Sequence, residues 1–586
     1  MHFQALAADY DGTIAQHGAV DAGTVAALQR LKDSGRHLVL VTGREMADLR
    51  HAFPEVTLFA RIVAENGGVL HEPATGRERA LAPAPPAAFV RRLMELEVEP
   101  ISIGRTIVAT WLPHDKAVLG AIEELGLDLQ IVFNKGAVMV LPAGVNKATG
   151  LAAALEELGL SGLNVVAVGD AENDHAFLKS CGCAAAVANA LPAVKEACDI
   201  VLSRDHGAGV TELIDRIIRD DARLLPPERL GVLVGCARSG AAAYLRPQES
   251  LLIAGGSGSG KSRFVTLLTE RMIEKGQEFC LIDPEGDYET LDGAIAIGDE
   301  QWPPSIDETI RLLRRKDLNT VVSTLALDLL ARRRFFQGLL PAILELRART
   351  GRPHWLIVDE AHHFLPRVDG EASAVLGNDF SGTVLVTIDP KWLVPEVLRG
   401  VDLLLVFGAA APGVVAEFAR EAGLDMPEVP NRAPDEGLLW SLRATGGCCA
   451  VEIGAPRQDH ERHRGKYALG DVGDAHSFYF RDDGAHGVRR ARNLADFIEH
   501  ARAVPDAAWE AHLRAGDFAA WFRDVIRDEE LARRAAQAAE DPHLEPCRSR
   551  RQIIDAIRER YVIPDRLWLL KPALPEAAAR SRGSGQ

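Results

Sequence analysis

Apolar residues fall in short runs along most of this chain. Between residues 3 and 213, β-rich runs at 3–8, 37–42 and 164–169 alternate with helix-like stretches such as 23–34. Strands that alternate with helices predict a parallel, doubly wound sheet. A Pro-rich stretch at 82–86 interrupts the alternation and opens an inserted block: a helix over 87–97, two short strands, a second helix over 114–125 and two further strands. The block reads as a small α/β cap, about residues 82–142, between two halves of one core. Pro226-Pro227 marks a domain boundary within 223–229. From residue 251 the alternation resumes, with strands predicted at 251–254, 279–283, 320–323, 355–359, 383–387 and 403–407, a second α/β sheet. Beyond about Asp474 the pattern turns helix-like, with Trp509, Phe518, Trp521 and Phe522 as expected core anchors, and residues 572–586 read as a frayed tail.

Length and composition agree with several folded units. At 586 residues the chain exceeds the roughly 250–300 at which single cores stop growing. It is 47% hydrophobic and 25% charged, as ordered globular proteins are. A formal charge of -17 gives no global attraction to nucleic acid, so any such contact must be local. No apolar run approaches the roughly 20 residues that span a bilayer. The start from Met1 shows no basic leader, so no membrane partner is expected and a cytoplasmic location is. The eight cysteines, including Cys181/Cys183 and Cys448/Cys449, lack paired CxxC knuckles and read as reduced thiols.

Candidate chemistry sits where strands end. Asp9-Tyr10-Asp11-Gly12-Thr13 follows the first strand, at the carboxyl edge where parallel sheets bind ligands. A carboxylate nucleophile splits phosphoryl transfer into two easier steps, and a second carboxyl can protonate the leaving oxygen. Thr42-Gly43-Arg44 ends the second strand with a hydroxyl suited to a phosphate oxygen. Lys147, in Gly144-Val145-Asn146-Lys147, opens a helix. Gly169-Asp170-Ala171-Glu172-Asn173-Asp174 ends another strand and adds carboxylates for a hard cation such as Mg²⁺. Four acidic turns that merely cap strands are the competing reading.

These strings resemble the haloacid dehalogenase superfamily, specifically its Cof-type phosphatases, over roughly the first 220 residues. The resemblance implies that Asp9 is the nucleophile that becomes phosphorylated and Asp11 the general acid and base. It implies that Thr42 and Lys147 hold the phosphoryl group, and that Asp170 and Asp174 join Asp9 and the Asp11 carbonyl around Mg²⁺. Glu65-Asn66-Gly67 resembles the family's loop before the cap, with Asn66 near the substrate. The cap resembles the smaller caps of phosphoglycolate and sugar-phosphate phosphatases, which implies a small phosphorylated metabolite as substrate. His114, Asp115 and Lys135 are candidate cap contacts, each of which also reads as a solvated surface residue.

The second sheet opens with a different device. Residues 251–254 lead into Gly255-Gly256-Ser257-Gly258-Ser259-Gly260-Lys261-Ser262 and an amphipathic helix, the strand–loop–helix context of a P-loop. Gly255, Ser257, Gly258, Ser259 and Gly260 would let backbone N–H groups turn inward on the phosphates of ATP, with Lys261 on the β- and γ-phosphates and Ser262 on Mg²⁺. Residues 355–358 form an apolar strand ending in Asp359 and Glu360; Asp359 would hold Mg²⁺ through water and Glu360 activate the attacking water. With Asp283-Pro284-Glu285-Gly286-Asp287-Tyr288 and Ala361-His362-His363-Phe364, this region resembles the HerA/FtsK branch of motor ATPases over roughly 228–470. That resemblance implies a RecA-like fold, ring assembly as a homo-oligomer and an arginine completing a neighbour's site, for which Arg399 and Arg420 are candidates. Thr387-Ile388-Asp389-Pro390 departs from the branch by lacking a glutamine after Thr387, and the usual N-terminal barrel is replaced. Arg332-Arg333-Arg334 is either a nucleic-acid contact or a solvated face, and the basic run 460–466 either grips phosphate or a ring neighbour or pairs with this acidic protein's own surface.

The expected architecture is therefore α/β and multidomain: a Rossmann-like phosphatase core with a small cap (1–222), a P-loop domain (228–472), a mainly helical domain (473–571) and a tail (572–586). The expected function is Mg²⁺-dependent hydrolysis of a small phosphomonoester, fused to an ATP-binding and hydrolysing domain. A DNA-associated motor with an accessory phosphatase is the alternative.

Overall fold

The computed structural model describes residues 1–134, 136–256, 258–367, 380–442, 447–457, 467, 477–481, 489–526 and 528–561. They form two compact units, Met1–His460 and Glu461–Gln586. The first holds both α/β modules and the second the C-terminal helices.

The first module is built on an eight-stranded sheet. In spatial order its strands are Ile200–Val201, Cys183–Ala186, Val165–Gly169, Ala5–Asp9, His37–Val41 and Arg61–Ala64, all parallel, then Val69–Glu72 and Arg77–Ala80, antiparallel at one edge. Ala5–Asp9 and Val165–Gly169 are buried along their whole length, as apolar strands covered on both faces must be. Helix Ala22–Asp33 starts where the Asp21 side chain accepts from the Thr24 N–H. Helix Lys147–Leu158 starts in an Asn146/Thr149 capping box and ends at Gly159 in the left-handed region. The cap is a four-stranded antiparallel sheet, ordered Ser102–Ile103, Val108–Trp111, Ala137–Pro142, Leu129–Asn134, packed on helices Ala87–Glu95 and Asp115–Glu124.

The second module has an eleven-stranded sheet. Its parallel part runs Leu403–Val406, Leu251–Ala254, Thr383–Thr387, Trp355–Val358, Phe279–Asp283, Asn319–Ser323 and Ala294–Ile297. Four antiparallel strands extend it beyond Leu403–Val406: Gly437–Ser441, Cys448–Glu452, Val232–Ala237 and Ala242–Leu245. Helices Lys261–Glu274 and Leu329–Thr350 help cover its two apolar faces. In the second unit, Phe478–Phe480 pairs with Arg489–Ala491, and helices from Leu494 onward pack around Phe497, Trp509, Phe518, Trp521 and Phe522. Phe497 stacks on Trp521 with centroids 5.3 Å apart. Among the described residues no helix is long and apolar enough to cross a membrane.

The two α/β modules meet through buried polar groups. Arg352 is 1% exposed; its guanidinium donates to the Gly159 carbonyl of the first module at 3.0 Å and to Glu278 Oε2 of the second at 2.8 Å. Asp221 accepts from the His2 and Phe3 N–H groups and from Gln248. Burial pushes the Glu278 carboxyl up from its ordinary range, with Arg352 opposing. Arg352→Met therefore strands a buried charge and should cost about 3–5 kcal/mol, read as a lower thermal midpoint; adding Glu278→Gln should recover most of it.

Candidate functional site

In the first module, strand ends bring the acidic residues together. Asp9 closes Ala5–Asp9, and Asp170 and Asp174 follow the neighbouring strand Val165–Gly169. One carboxylate oxygen of each of these three lies within 4.8 Å of the others. Lys147, 1% exposed, donates from Nζ to Asp9 Oδ1 at 2.5 Å and to Asp174 Oδ1 at 2.6 Å. Asp174 Oδ2 accepts from the N–H groups of Asp170 and Ala171, and Asp170 Oδ1 accepts from the Thr13 hydroxyl at 3.0 Å. Three buried carboxylates against one ammonium leave excess negative charge. Burial, and then the charge of Asp174, push the Asp9 carboxyl well above the ordinary carboxylate range, while Lys147 pulls it down. Hard oxygen donors with surplus negative charge are what a divalent cation such as Mg²⁺ needs, so the residues fit that ion.

Thr42 follows the strand paired with Ala5–Asp9 and is 1% exposed. Asp11 is not in the buried cluster: Arg44 grips it with Nε and Nη2, both at 2.7 Å. The same guanidinium reaches Asp48 and lies 5.0 Å from the Tyr10 ring centroid. Sequence reasoning gave Arg44 no role, although its place in Thr42-Gly43-Arg44 put it beside Asp11.

The cap is tied to the core near this site. Glu65, in the left-handed region at φ 50°, accepts from the N–H groups of Arg105 and Thr106 and from the Thr106 hydroxyl at 2.7–3.0 Å. Asn66 Oδ1 accepts from Asn173, beside Asp174. His114 contacts the Glu99 carbonyl and Asp115 opens a cap helix; Lys135 lies outside the described residues. Gly67 has φ 110°, and a Cβ there would sit 2.0 Å from the Asn146 carbonyl oxygen, at the start of the helix that carries Lys147. Gly67→Ala should cost roughly 2 kcal/mol or more in stability, and moving Lys147 should also lower turnover; a thermal scan beside an activity assay checks both.

In the second module, Gly255 (φ 150°), Gly258 (φ 73°) and Gly260 (φ 105°) take backbone angles that side-chain-bearing residues avoid, so the loop curls into the start of helix Lys261–Glu274. A Cβ on Gly255 would strike the Phe407 carbonyl oxygen at 2.6 Å. Lys261 Nζ folds back on the carbonyls of Gly255 and Gly256, at 2.7 and 3.2 Å. Ser259 and Ser262 flank this turn, and Ser257 lies outside the described residues. Thr383–Thr387 separates the P-loop strand from Trp355–Val358, so Asp359 lies two strands away from the loop at the same sheet edge.

Around Asp359 the acids crowd. Burial and then Glu360 push the Asp359 carboxyl well up, with Asp287 adding to it. Asp283 accepts from the N–H groups of Glu285, Gly286 and Tyr288 at 2.8–3.0 Å, so it shapes the Asp283-to-Tyr288 turn; burial and Asp287 push it up to about 8. Burial, and then the charges of Asp359, Asp287 and Asp283, push the Tyr288 hydroxyl well above its ordinary range, with Ser262 opposing. Among the described residues, the carboxylates close enough together to share a cation are those of Asp9, Asp170 and Asp174, not those around Asp359. Glu360 has φ 41° and lies 3.4 Å from His362, whose Nδ1 is 3.3 Å from the Thr387 hydroxyl. The roles of His362 and Tyr288 were missed; their only signal was the spacing from Asp359 and Asp283. Arg399 and Arg420 are exposed and pair locally, with Glu396 and with Glu417 and Glu421. Arg332 and Arg333 donate to the Thr324 and His363 carbonyls, and residues 460–466 lie outside the described residues.

A parallel sheet with a carboxylate–lysine cluster at its edge and an inserted cap defines a haloacid dehalogenase-type hydrolase, here continued into a P-loop domain. The description haloacid dehalogenase-like hydrolase matches residues 6–95 and 121–214, leaving part of the cap unmatched. Helicase HerA, central domain, matches 229–336. The phosphoglycolate phosphatase of Methanothermobacter thermautotrophicus is 30% identical over 230 residues, which are 37% of this chain and 99% of that protein. The phosphoglycolate phosphatase of Halorubrum lacusprofundi is 32% identical over 227 residues, 36% of this chain and 95% of that protein. The chain belongs to the haloacid dehalogenase-like hydrolases, with a HerA-type P-loop domain fused behind. A haloacid dehalogenase-like hydrolase from Bacteroides thetaiotaomicron aligns at 19% identity over 37% of this chain and 99% of that one, with a TM-score of 0.33.

Proposed function

We propose that the first module hydrolyses a small phosphomonoester through phosphorylation of Asp9, and that the second binds and hydrolyses ATP. The observation that carries the first reading is the meeting of Asp9, Asp170 and Asp174 around Lys147 at one sheet edge. Asp9 would form a bond to phosphorus while the bond to the leaving oxygen breaks; Asp11 would give that oxygen a proton, then take one from the water that cleaves the aspartyl phosphate. Arg44 grips Asp11 in this structure, so its fork must open for Asp11 to serve. Lys147 and Thr42 would hold the transferring group, with Asn66 near the substrate. Mg²⁺, when held by Asp9, Asp170, Asp174 and the Asp11 carbonyl, supplies positive charge to the phosphoryl oxygens. The relatives that match are named phosphoglycolate phosphatases, which makes 2-phosphoglycolate the first substrate to try.

In the second module Lys261 is held by two loop carbonyls. The β- and γ-phosphates of ATP would replace them, with loop N–H groups from Gly255 to Gly260 and the Ser262 hydroxyl completing the cradle. Glu360, 3.4 Å from His362, would activate water and Asp359 would hold Mg²⁺. A motor acting on DNA is the second reading, favoured by the HerA match alone; DNA-stimulated, salt-sensitive ATP hydrolysis distinguishes it. The direct test is a screen of 2-phosphoglycolate and sugar phosphates. Phosphate release should vanish on chelation with EDTA and return with added Mg²⁺; turnover indifferent to EDTA would remove the metal from the mechanism.

A further inference from the structure

Asp11 is held away from the part the proposed reaction gives it. Arg44 clamps both of its carboxylate oxygens, with Nε and Nη2 each at 2.7 Å. A carboxylate engaged through both oxygens is turned to the guanidinium, so it serves a leaving group only after it lets go. The pair is open to a competitor. The Asp11 side chain is 42% exposed and that of Arg44 22%, whereas Asp9, Lys147 and Asp170 are buried.

Arg44 itself is anchored without Asp11. Its Nη1 donates to Asp48 of helix Met46–Ala52 at 2.9 Å, and its guanidinium carbon lies 5.0 Å from the Tyr10 ring centroid. If Asp11 leaves, these contacts keep the edge formed by Nε and Nη2 in place. That edge is a rigid two-pronged donor, and its match is the pair of oxygens of another carboxylate.

The local charges decide which visitors can open the clamp. Arg44 faces two carboxylates, Asp11 and Asp48, while the neighbouring Glu45 accepts from the Ser102 hydroxyl of the cap. Met139 of the cap, whose sulfur would lie 3.6 Å from a Cβ on Gly43, adds no charge to this turn. Exchange of Asp11 for a substrate carboxylate keeps the count of anions on Arg44. Entry of a hydroxyl or an amide lowers it, and a charged rather than a neutral partner is worth on the order of tenfold in an equilibrium. Asp11 is the group proposed to meet the ester oxygen, so the fork beside it is reached by substrate atoms close to that oxygen. A carboxylate one carbon away, as in 2-phosphoglycolate, is such a group; the hydroxyls of a sugar phosphate arrive uncharged. Were the phosphoryl group itself to take the fork, every phosphomonoester would release Asp11 alike.

We propose that Arg44 selects the substrate: it trades Asp11 for a carboxylate carried one carbon from the ester oxygen, and so frees Asp11 to meet that oxygen. The preferred substrates are 2-phosphoryloxy acids, and neutral sugar phosphates are disfavoured because they leave the clamp shut. The inference rests on the phosphatase reading above. The test measures kcat/KM of the full chain with Mg²⁺ for 2-phosphoglycolate and for the phosphate ester of glycolamide, which has the same size without the charge. The parent should favour the acid by about tenfold or more. Arg44→Gln should lower kcat/KM for the acid at least about tenfold, while for the amide it lowers it less or raises it. A merely structural role would lower both together. Arg44→Lys keeps the charge without the fork and should fall between; it decides the matter if thermal scans show that Arg44→Gln does not fold. Equal turnover of acid and amide by the parent overturns the proposal and leaves the phosphatase reading standing. So do variants that lower both esters in proportion. Phosphate release from neither ester overturns both.

Discussion

Asp9→Asn stops phosphate release from 2-phosphoglycolate and from sugar phosphates, lowering kcat by roughly 10⁴-fold or more, as expected when a covalent nucleophile is removed. The variant keeps its fold, because asparagine has the same shape and Lys147 retains Asp174 at 2.6 Å. It should also melt at the same temperature as the parent or higher. Asp9 is buried beside Asp170 and Asp174 with one lysine among them, and neutralising it relieves like-charge crowding. Loss of turnover with unchanged or raised thermal midpoint separates a chemical role from a structural one; parental turnover in the variant removes Asp9 as nucleophile.

Lys261→Ala has the second large effect, on the other module. Removing the ammonium should weaken ATP binding by about 10²-fold, since a charged donor to the phosphates is lost, while phosphatase turnover stays at the parental level. Glu360→Gln makes the complementary case: ATP binds as before and hydrolysis falls by roughly 10²- to 10⁴-fold, the range for a general base. Equilibrium binding of labelled ATP and steady-state hydrolysis measure the two separately. ATP consumption unaltered by Glu360→Gln would leave Asp359 and its neighbours to account for turnover.

Much of the architecture was legible because chemistry and fold share the same punctuation. Apolar runs ending in Asp9, Asp170, Lys261 or Asp359 announce both a strand or helix and the edge where it delivers a side chain. The strands at Leu251–Ala254, Phe279–Asp283 and Thr383–Thr387 lie where the hydrophobic pattern put them. Edge elements were less visible. Ala294–Ile297 is half exposed, and Ala242–Leu245 at the other edge carries no motif. The short-range acidic pattern also hid a division of labour: Asp283 spends its oxygens on backbone N–H groups of its own turn, whereas Asp11 pairs with an arginine 33 positions away. Least legible was the seam. Arg352 and Gly159 are 193 positions apart, and a buried arginine among ordinary loop residues gives no periodic signal.

That seam sets what can be done with the polypeptide as an object. Cleaving or expressing it as halves around residues 222–228 would bare Arg352, Glu278 and Trp355 on one fragment and His2 and Asn164 on the other. Such fragments would be sticky and short-lived, and a foreign phosphatase spliced onto the P-loop domain would meet a surface shaped for its predecessor. The partnership is thus heritable only as a pair, and a lineage that mutates one side of the joint must mend the other.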